Sequence, residues 1–262
     1  MSEILVEERP DHVRVIRLNR PDRLNALTHE MVTSIAAAMH VDSHHRAIVI
    51  RGNGRAFSAG VDIAGAHERQ TADRSNADGI VAQERFAAMI QAIVATPVPV
   101  VSAVHGPAAG AGLAITLASD IRIGTTDARF VIGAPNIGLS AGECGISYFL
   151  PRLVGLGRAA EIMLTNRHVY AEEARSIGLM TALVGPAELD TALDQLITAI
   201  TALSPFGQKM TKQVYRMSID APSLDHALAL ENRTQILANA TSDAAEARSA
   251  FLEKRPARFT GR

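Results

Sequence analysis

The sequence predicts an α/β fold in which helices alternate with the strands of a parallel or spirally wound sheet. Two apolar runs, 47–50 and 97–104, each follow a helical pattern and lead into a turn that contains glycines. Strands that alternate with helices in this way form parallel sheets. After Pro151 the pattern is helical almost to the end of the chain. We therefore divide the chain into an α/β core, residues 1–200, and a helical C-terminal region, residues 201–262.

Composition limits the class of protein. Of the 262 residues, 47% are hydrophobic and 20% are charged, which is typical of a globular protein. The net charge of -1 argues against nucleic acid as a partner. The single cysteine, Cys144, excludes an internal disulfide and a cysteine-ligated metal site. The first residues do not resemble a secretory signal, and prolines and glycines interrupt the apolar stretch 92–118. We expect a cytoplasmic protein with no membrane partner.

The other elements follow from apolar periodicity and from capping residues. Two short runs, 4–8 and 12–18, predict a β-hairpin at the start of the chain. Thr28 suits the N-cap of the first helix, Pro186 the first position of a later one, and Ser242 the cap of the last. The polar segment 65–82 predicts a mobile loop over the site. Helices are predicted over residues 28–40, 80–95, 112–117, 157–164, 171–177, 186–203, 205–218, 224–237 and 243–254.

Three histidines, His40, His44 and His45, lie near the end of the first predicted helix. Histidine is a common metal ligand, but we find no further ligand at a suitable spacing. Positively charged or polar groups are also favourable at the end of a helix. We therefore interpret this cluster as a solvated helix end and expect no metal site.

The two glycine-bearing turns are the strongest functional signal from the residues alone. Each turn follows an apolar strand, so two backbone N–H groups, those of Val61 and Ala111, can point at one position. Such a pair forms an oxyanion hole, which stabilises negative charge that develops on a carbonyl oxygen. Tight packing of the turns and phosphate binding are the alternatives. The glycines match neither GxxxxGK[ST] nor GxGxxG, and Ser58 does not lie in a GxSxG motif.

Four segments together resemble the crotonase superfamily, also called the enoyl-CoA hydratase/isomerase family. They are residues 19–27, 56–63, 103–122 and 250–255, and they occur in the family's order along nearly the whole chain. The resemblance implies a crotonase-like spiral of ββα units with a C-terminal helical trimerisation region. It also implies self-association into a homotrimer or a homohexamer, and it places the oxyanion amides at Val61 and Ala111.

The resemblance further implies an acyl-CoA thioester as substrate, with coenzyme A as part of the substrate and no separate cofactor. Two loops and the C-terminal region are expected to contact the CoA portion. The expected contacts are Arg23, Leu24, Ala26, Ala59, Asp62, Ile63, Phe251 and Lys254.

The chain departs from the family's hydratase pattern at two positions. Hydratases of the family use two glutamates to activate water, and these fall here on Ala114 and Asn136. Alanine cannot transfer a proton, and an amide is not a useful base near neutral pH. The segment from Gly142 to Pro151 instead resembles Δ3,Δ2-enoyl-CoA isomerases, which carry a single catalytic glutamate there. Glu143 is the candidate base.

Three functions remain open for this site. The first is isomerisation of a 3-enoyl-CoA by Glu143. The second is hydration of a 2-enoyl-CoA, with Glu143 and Asn136 holding the water. The third is binding of acyl-CoA without catalysis. Glu143 has a structural alternative as the cap of the following helix. His105 is expected to be a packed histidine at a strand end with a possible substrate contact, and Asp120 to make structural hydrogen bonds.

Overall fold

The sheet of the core combines one antiparallel pair with a parallel series. In the computed structural model, which describes residues 2–64 and 76–261, six strands lie in the order β1-β2-β3-β4-β6-β9. The first two form the predicted hairpin, and the others run parallel to β2. Their bounds are β1 Ile4–Glu8, β2 Val13–Leu18, β3 Ala47–Gly52, β4 Val100–Val104, β6 Ile121–Thr125 and β9 Ala182–Val184.

Both faces of this sheet are covered, which explains why the central strands are mainly apolar. Ile48 and Ile50 belong to the larger core cluster, whereas Ala47 and Val49 belong to a smaller cluster on the other face. Successive side chains of a strand point to opposite faces, so a strand with two buried faces is apolar at most of its positions. The smaller cluster is completed by one helix, Leu189–Thr201.

A second, small sheet lies at the carboxyl ends of the central strands. It contains β5 Pro107–Ala109, β7 Arg129–Val131 and β8 Val169–Tyr170, in the order β5-β7-β8. The Ser58 turn joins its edge through a parallel bridge between Ser58 and Ala108. This sheet was absent from the sequence prediction. It holds the two glycine turns against each other.

Ten α-helices lie with both ends within the described residues. They are α1 His29–Ala38, α2 Asn76–Ala95, α3 Ala111–Ala118, α4 Ile146–Val154, α5 Leu156–Thr165, α6 Ala171–Ser176, α7 Leu189–Thr201, α8 Pro205–Ser218, α9 Leu224–Asn239 and α10 Ser242–Glu253.

Most predicted helices are confirmed, with shifted ends. Thr28 caps α1 as predicted, since its side chain accepts a hydrogen bond from the Met31 N–H. Helix α2 begins at Asn76, within the segment predicted as a loop, and the part of that prediction covering 65–75 lies outside the described residues. Two end predictions were wrong. Pro186 opens a short 3-10 turn before α7, and Thr241 rather than Ser242 caps α10.

A buried ion cluster joins α8 to the sheet through Asp120, whose side chain is only 8% exposed. Its carboxylate accepts from Lys212 Nζ at 2.8 Å, from Arg216 Nη2 at 2.6 Å and from the Val100 N–H at 2.7 Å. The Tyr215 hydroxyl also donates to it. The expectation that Asp120 makes structural hydrogen bonds is confirmed. The cluster fixes the start of the helical C-terminal region on the core.

Among the described residues, no helix has the length and apolar character that a bilayer crossing requires. The apolar stretch 92–118 is divided between the end of α2, strands β4 and β5, and α3. This division follows from the prolines and glycines that interrupt it.

Candidate active site

The two glycine turns meet at Gly60 and Gly110. Both glycines have positive φ, +88° and +51°, a region that other residues rarely adopt. A Cβ atom placed on Gly110 would lie 3.7 Å from the Cα of Gly60, and one on Gly60 would lie 2.8 Å from the carbonyl oxygen of Ala109. The close approach therefore requires glycine at position 60. It brings the residues after the glycines, Val61 and Ala111, to the same place.

The backbone N–H groups of Val61 and Ala111 are available for a ligand. Among the described residues, neither N–H donates to a protein acceptor. The Ala111 N–H is free because Ala111 is the first residue of α3, and the first N–H groups of a helix lack partners within the helix. The Val61 turn is held on both sides, by bonds from Leu27 N to Gly60 O at 2.7 Å and from Asp62 N to Leu27 O at 3.0 Å. The two turns therefore hold two unpaired N–H groups close to each other, which is compatible with the predicted oxyanion hole.

Asn25 anchors the loop beside this turn, a role that the sequence analysis missed. It is fully buried and has φ of +54°. Its Oδ1 accepts from the Arg20 N–H at 2.9 Å, and its Nδ2 donates to the carbonyl oxygens of Asn53 and Ala56, both at 2.8 Å. Asparagine is enriched in the left-handed region of backbone conformation. An asparagine in the loop after Leu24 was therefore the signal in the sequence that could have indicated this anchoring role.

Ser58 and Gly112 fix the start of α3 against the first turn. The Ser58 hydroxyl donates to the Asn25 carbonyl oxygen at 2.8 Å and accepts from the Gly60 N–H at 3.2 Å. A Cβ on Gly112 would lie 2.6 Å from the Cβ of Ser58. Only glycine therefore allows α3 to approach this closely. Both residues position the amides, and the sequence analysis did not assign them this role.

The expected CoA-binding loops lie next to each other. The Ala59 N–H donates to the Leu24 carbonyl oxygen at 2.9 Å, which links residues 23–27 to the turn at 59–63. Asp62 fixes its turn through an ion pair with Arg20 at 2.8 Å. The remaining expected contacts on these loops differ in burial: Arg23 and Ile63 are exposed, and Ala26 is buried.

Among the described residues, no hydrogen bond or ion pair links Phe251 or Lys254 to these loops. They stand at the end of α10, both exposed, and the Phe251 side chain is 83% exposed. Among the described residues, the Lys254 side chain makes no hydrogen bond or ion pair. Within a single chain, these two residues are therefore not linked to the candidate site.

Glu143 lies at the glycine turn of α3. Its Oε1 is 3.5 Å from the position that a Cβ on Gly110 would take. The carboxylate is half-buried, and this burial raises its pKa above the ordinary value of 4.5. The alternative role as a helix cap is not supported, because Gly145 is the N-cap of α4 and no side chain caps that helix. Glu143 is thus a carboxylate of raised basicity beside the paired amides.

Cys144 follows Glu143 but has an inert environment. The thiol is buried, and burial, together with the nearby Glu143 charge, raises its pKa to about 12. Gln83 Nε2 lies 3.8 Å from the sulfur. A thiol with so high a pKa does not ionise near neutral pH and is not a nucleophile.

Ala114 and Asn136, the two positions that lack the glutamates expected of a hydratase, lie in different surroundings. Ala114 is fully buried in α3, one turn after Gly110, with its N–H bonded to the Gly110 carbonyl oxygen at 3.0 Å. Asn136 is exposed in a short 3-10 helix, Ala134–Ile137. His105 is half-buried, and its Nε2 lies 2.9 Å from the Gly54 carbonyl oxygen, consistent with the expected strand-end packing.

Next to two of the three histidines lies Asp42, a potential metal ligand that was not considered from the sequence. Asp42, His44 and His45 bring three ligand atoms within 4.8 Å of one another. However, His45 Nδ1 accepts from the Asp42 N–H at 3.1 Å, and His45 Nε2 pairs with Glu8 at 3.0 Å. Both nitrogens of the ring are therefore engaged, and the geometry does not favour a metal ion.

Comparisons with known proteins agree with this geometry. Residues 8–262 match the family model described as enoyl-CoA hydratase/isomerase. A probable enoyl-CoA hydratase of Mycobacterium leprae is 36% identical over 259 residues, which cover 95% of this chain and 86% of that protein. The 1,2-epoxyphenylacetyl-CoA isomerase of Escherichia coli is 32% identical over 265 residues and is matched over the full length of both chains.

A solved structure shows the same fold. The putative enoyl-CoA hydratase of Streptomyces coelicolor superposes with a TM-score of 0.92 at 34% identity, covering 100% of this chain and 95% of that one. Most of the similar proteins are named as hydratases, and one is named as an isomerase. The chain belongs to the enoyl-CoA hydratase/isomerase family and has the crotonase fold.

Proposed function

We propose that this protein is a Δ3,Δ2-enoyl-CoA isomerase in which Glu143 is the single acid–base group. The observation that carries the proposal is the position of Glu143 Oε1 beside Gly110, with its pKa raised by burial. A carboxylate of raised pKa is suited to take up and return a proton near neutral pH. Isomerisation needs one such group.

The reaction moves one proton from C2 to C4 of a 3-enoyl-CoA. Glu143 removes the C2 proton, and the electron pair of that C–H bond forms a dienolate that extends to the thioester oxygen. The Val61 and Ala111 N–H groups donate to this oxygen and stabilise its charge. The carboxylic acid of Glu143 then delivers the proton to C4, which leaves a double bond between C2 and C3. Atoms and charge balance without a co-reactant.

Hydration of a 2-enoyl-CoA is the second candidate, and the names of most similar proteins favour it. It requires a group that holds water opposite the base. Ala114 cannot do so, and Asn136 offers only a neutral amide on an exposed side chain. Glu143 would then have to activate the water alone. We therefore place hydration below isomerisation.

Replacement of the carboxylate tests the proposal directly. We expect Glu143→Gln to lower kcat for a 3-enoyl-CoA by about 10²–10⁴-fold, the usual contribution of a general base. The dissociation constant for a saturated acyl-CoA should change little, because the two amides remain. Glu172→Gln, an exposed acid at the start of α6, is the matched control and should keep full activity.

The same preparations decide between the two reactions. Isomerase activity is followed by the ultraviolet absorbance of the conjugated 2-enoyl thioester, and hydratase activity by its loss. Full isomerase activity in Glu143→Gln would overturn the role of Glu143. A wild-type protein that hydrates 2-enoyl-CoA rapidly and does not isomerise 3-enoyl-CoA would establish the second candidate instead.

A further inference from the structure

A large cavity adjoins the proposed site and is not used by the chemistry described above. Its volume is about 800 Å³, within the range of small-molecule sites. Cys144 and Gly145, the two residues after Glu143, form part of its wall. Leu117, near the end of α3, forms another part. Since α3 starts at Ala111 and rises 1.5 Å per residue, this part of the wall lies about 9 Å along the helix from the Ala111 amide.

The cavity has apolar walls and a cationic end. The walls come from α2, α3, α4 and α8, and their apolar side chains are Ile90, Val94, Leu117, Phe149, Leu153 and Ile219. The charged residues that line it are Arg122, Arg152, Arg216 and a single acid, Asp120. A chain of methylene groups fits such walls, and an anion fits such an end.

The carboxylates near the cavity do not neutralise the positive charge of its arginines. Asp120 is shared between Arg216 and Lys212, and Arg152 pairs with Asp220 at 3.0 Å. Counting these neighbours, four cations face two carboxylates. Arg122 has no carboxylate within ion-pair distance among the described residues.

Two guanidinium groups retain unused donors. Arg122 is 4% exposed, and it donates through Nε to the Leu179 carbonyl oxygen at 2.8 Å and through Nη1 to the Ser119 carbonyl oxygen at 2.7 Å. Its Nη2 donates to no protein acceptor in the described ranges. Arg216 Nε also lacks a partner, but it has almost no accessible surface, so Arg216 acts on a ligand in the cavity through its charge. An unused donor of a charged group costs free energy when it is buried, so an anion that accepts from Arg122 Nη2 is stabilised.

We propose that this cavity binds the acyl chain of a substrate whose far end carries a carboxylate, that is, an ω-carboxyacyl-CoA of medium chain length. The thioester oxygen lies at the Val61 and Ala111 amides, the methylene chain follows the apolar walls, and the terminal carboxylate accepts from Arg122 beside the positive charge of Arg216. The inference rests on the proposed acyl-CoA site and specifies its substrate class.

Binding of unreactive thioesters tests the inference independently of the reaction. Titration calorimetry compares suberyl-CoA with octanoyl-CoA, which have the same number of acyl carbons and differ in the terminal group. We expect the wild-type protein to bind suberyl-CoA about tenfold or more tightly, the effect of one charge-assisted hydrogen bond. An apolar cavity without a cationic end would prefer octanoyl-CoA.

Three variants locate the effect. Arg216→Gln should bring the affinity for suberyl-CoA close to that for octanoyl-CoA. Gln91 is an exposed residue of α2 that lines the same cavity, so its replacement does not endanger folding. Gln91→Glu keeps the side-chain size and adds a repelling charge, which should weaken suberyl-CoA several-fold. Gln91→Lys should strengthen it, and octanoyl-CoA should respond little to either.

The outcomes separate this inference from the proposed function. If octanoyl-CoA binds and suberyl-CoA binds no better, or if the Gln91 variants affect both thioesters equally, the ω-carboxylate site is wrong and the acyl-CoA site stands. If neither thioester binds to the wild-type protein, both proposals fail. A preference for suberyl-CoA that Gln91→Glu removes supports the inference whichever reaction the enzyme catalyses.

Discussion

Glu143, the proposed base, is a carboxylate in a position that is unfavourable for its charge. Burial raises its pKa, and no cation pairs with it among the described residues, in contrast to Asp62 and Asp120. Those two acids are held by arginine or lysine partners and serve structure. An acid without such a partner keeps its basicity and remains free to move a proton. The presence or absence of a cationic partner thus distinguishes the structural acids Asp62 and Asp120 from Glu143.

The raised pKa of Glu143 predicts the pH dependence of catalysis. The base must be ionised to remove the C2 proton, so kcat/KM should fall as pH drops through a pKa above the ordinary 4.5. A pH profile of isomerase activity measures this limb. Cys144→Ser is the control and should leave the limb in place, because a thiol with a pKa of about 12 does not titrate in this range. A limb at or below 4.5 would contradict the prediction.

Burial of Glu143 also predicts that its ionised form, which the proposed reaction needs, lowers the stability of the folded protein. Because its folded-state pKa is raised, the folded protein binds the proton more tightly than the unfolded chain does. The ionised form therefore lowers stability, and this cost appears as pH rises through the window between the two pKa values. We expect Glu143→Gln to have a higher Tm than wild type at neutral pH, and no such gain below the unfolded-state pKa. An equal gain at both pH values would rule out ionisation as the cause.

The sequence indicated some residues of the candidate site and missed others for a physical reason. Val61 and Ala111 could be proposed from the sequence, because glycines beside strand ends mark the places where backbone amides are accessible. Asn25 was not identified, because its three hydrogen bonds reach residues that lie apart in the chain. The Ser58 contact with Gly112 also depends on tertiary packing. Local patterns reveal exposed amides but not the side chains that hold them.

The packing of helix α3 positions the Ala111 amide, one half of the proposed oxyanion hole. We expect Gly112→Ala to lower kcat by about 10²-fold or more, since the new Cβ would lie 2.6 Å from Ser58 Cβ and move the Ala111 amide away from the Val61 amide. The assay is isomerase turnover at saturating substrate. Gly157→Ala in α5 is the matched control, because a Cβ there meets nothing within 4 Å, and it should be fully active. Unchanged kcat in Gly112→Ala would show that α3 adjusts without loss.

Elements with strong apolar runs were predictable, and the short ones were not. Strands β3 and β4 are mainly apolar, and α8 begins at a proline after Ser204, so their types and places were evident. The second sheet consists of strands of three, three and two residues, too short for a periodic signal. Its pairing joins segments far apart in the chain, and only the folded core determines it.

Asp120 ties the helical C-terminal region to the core of the molecule. We expect Asp120→Ala to lower the free energy of unfolding by about 3–5 kcal/mol, because it leaves Lys212, with a side chain only 6% exposed, without its counter-charge. Urea denaturation measures the change. Asp190→Ala breaks an ion pair with Arg51 in which the acid is 73% exposed, and this control should cost less than about 1 kcal/mol.

The sign of the pH effect checks the same cluster. Burial alone would raise the pKa of Asp120, but Lys212 and Arg216 together outweigh it and lower the pKa below the ordinary 3.8. The stability that Asp120 provides is therefore complete above that value and is lost as pH falls through its lower folded-state pKa. The difference between wild type and Asp120→Ala should persist at pH 5. Its disappearance there would contradict the assignment.

The complete burial of α3 has a consequence for the energy of the reaction. All eight residues of this helix are buried, and two carbonyl groups near its end, those of Thr116 and Ala118, accept from Arg122 and Arg216. In the proposed mechanism the positive end of the helix dipole faces the thioester oxygen. This dipole is shielded from water and salt and cannot reorient. When charge moves onto that oxygen, the surroundings are already polarised in its favour. The cost of arranging them was met when the chain folded, so the reorganisation that water would require is absent from each turnover.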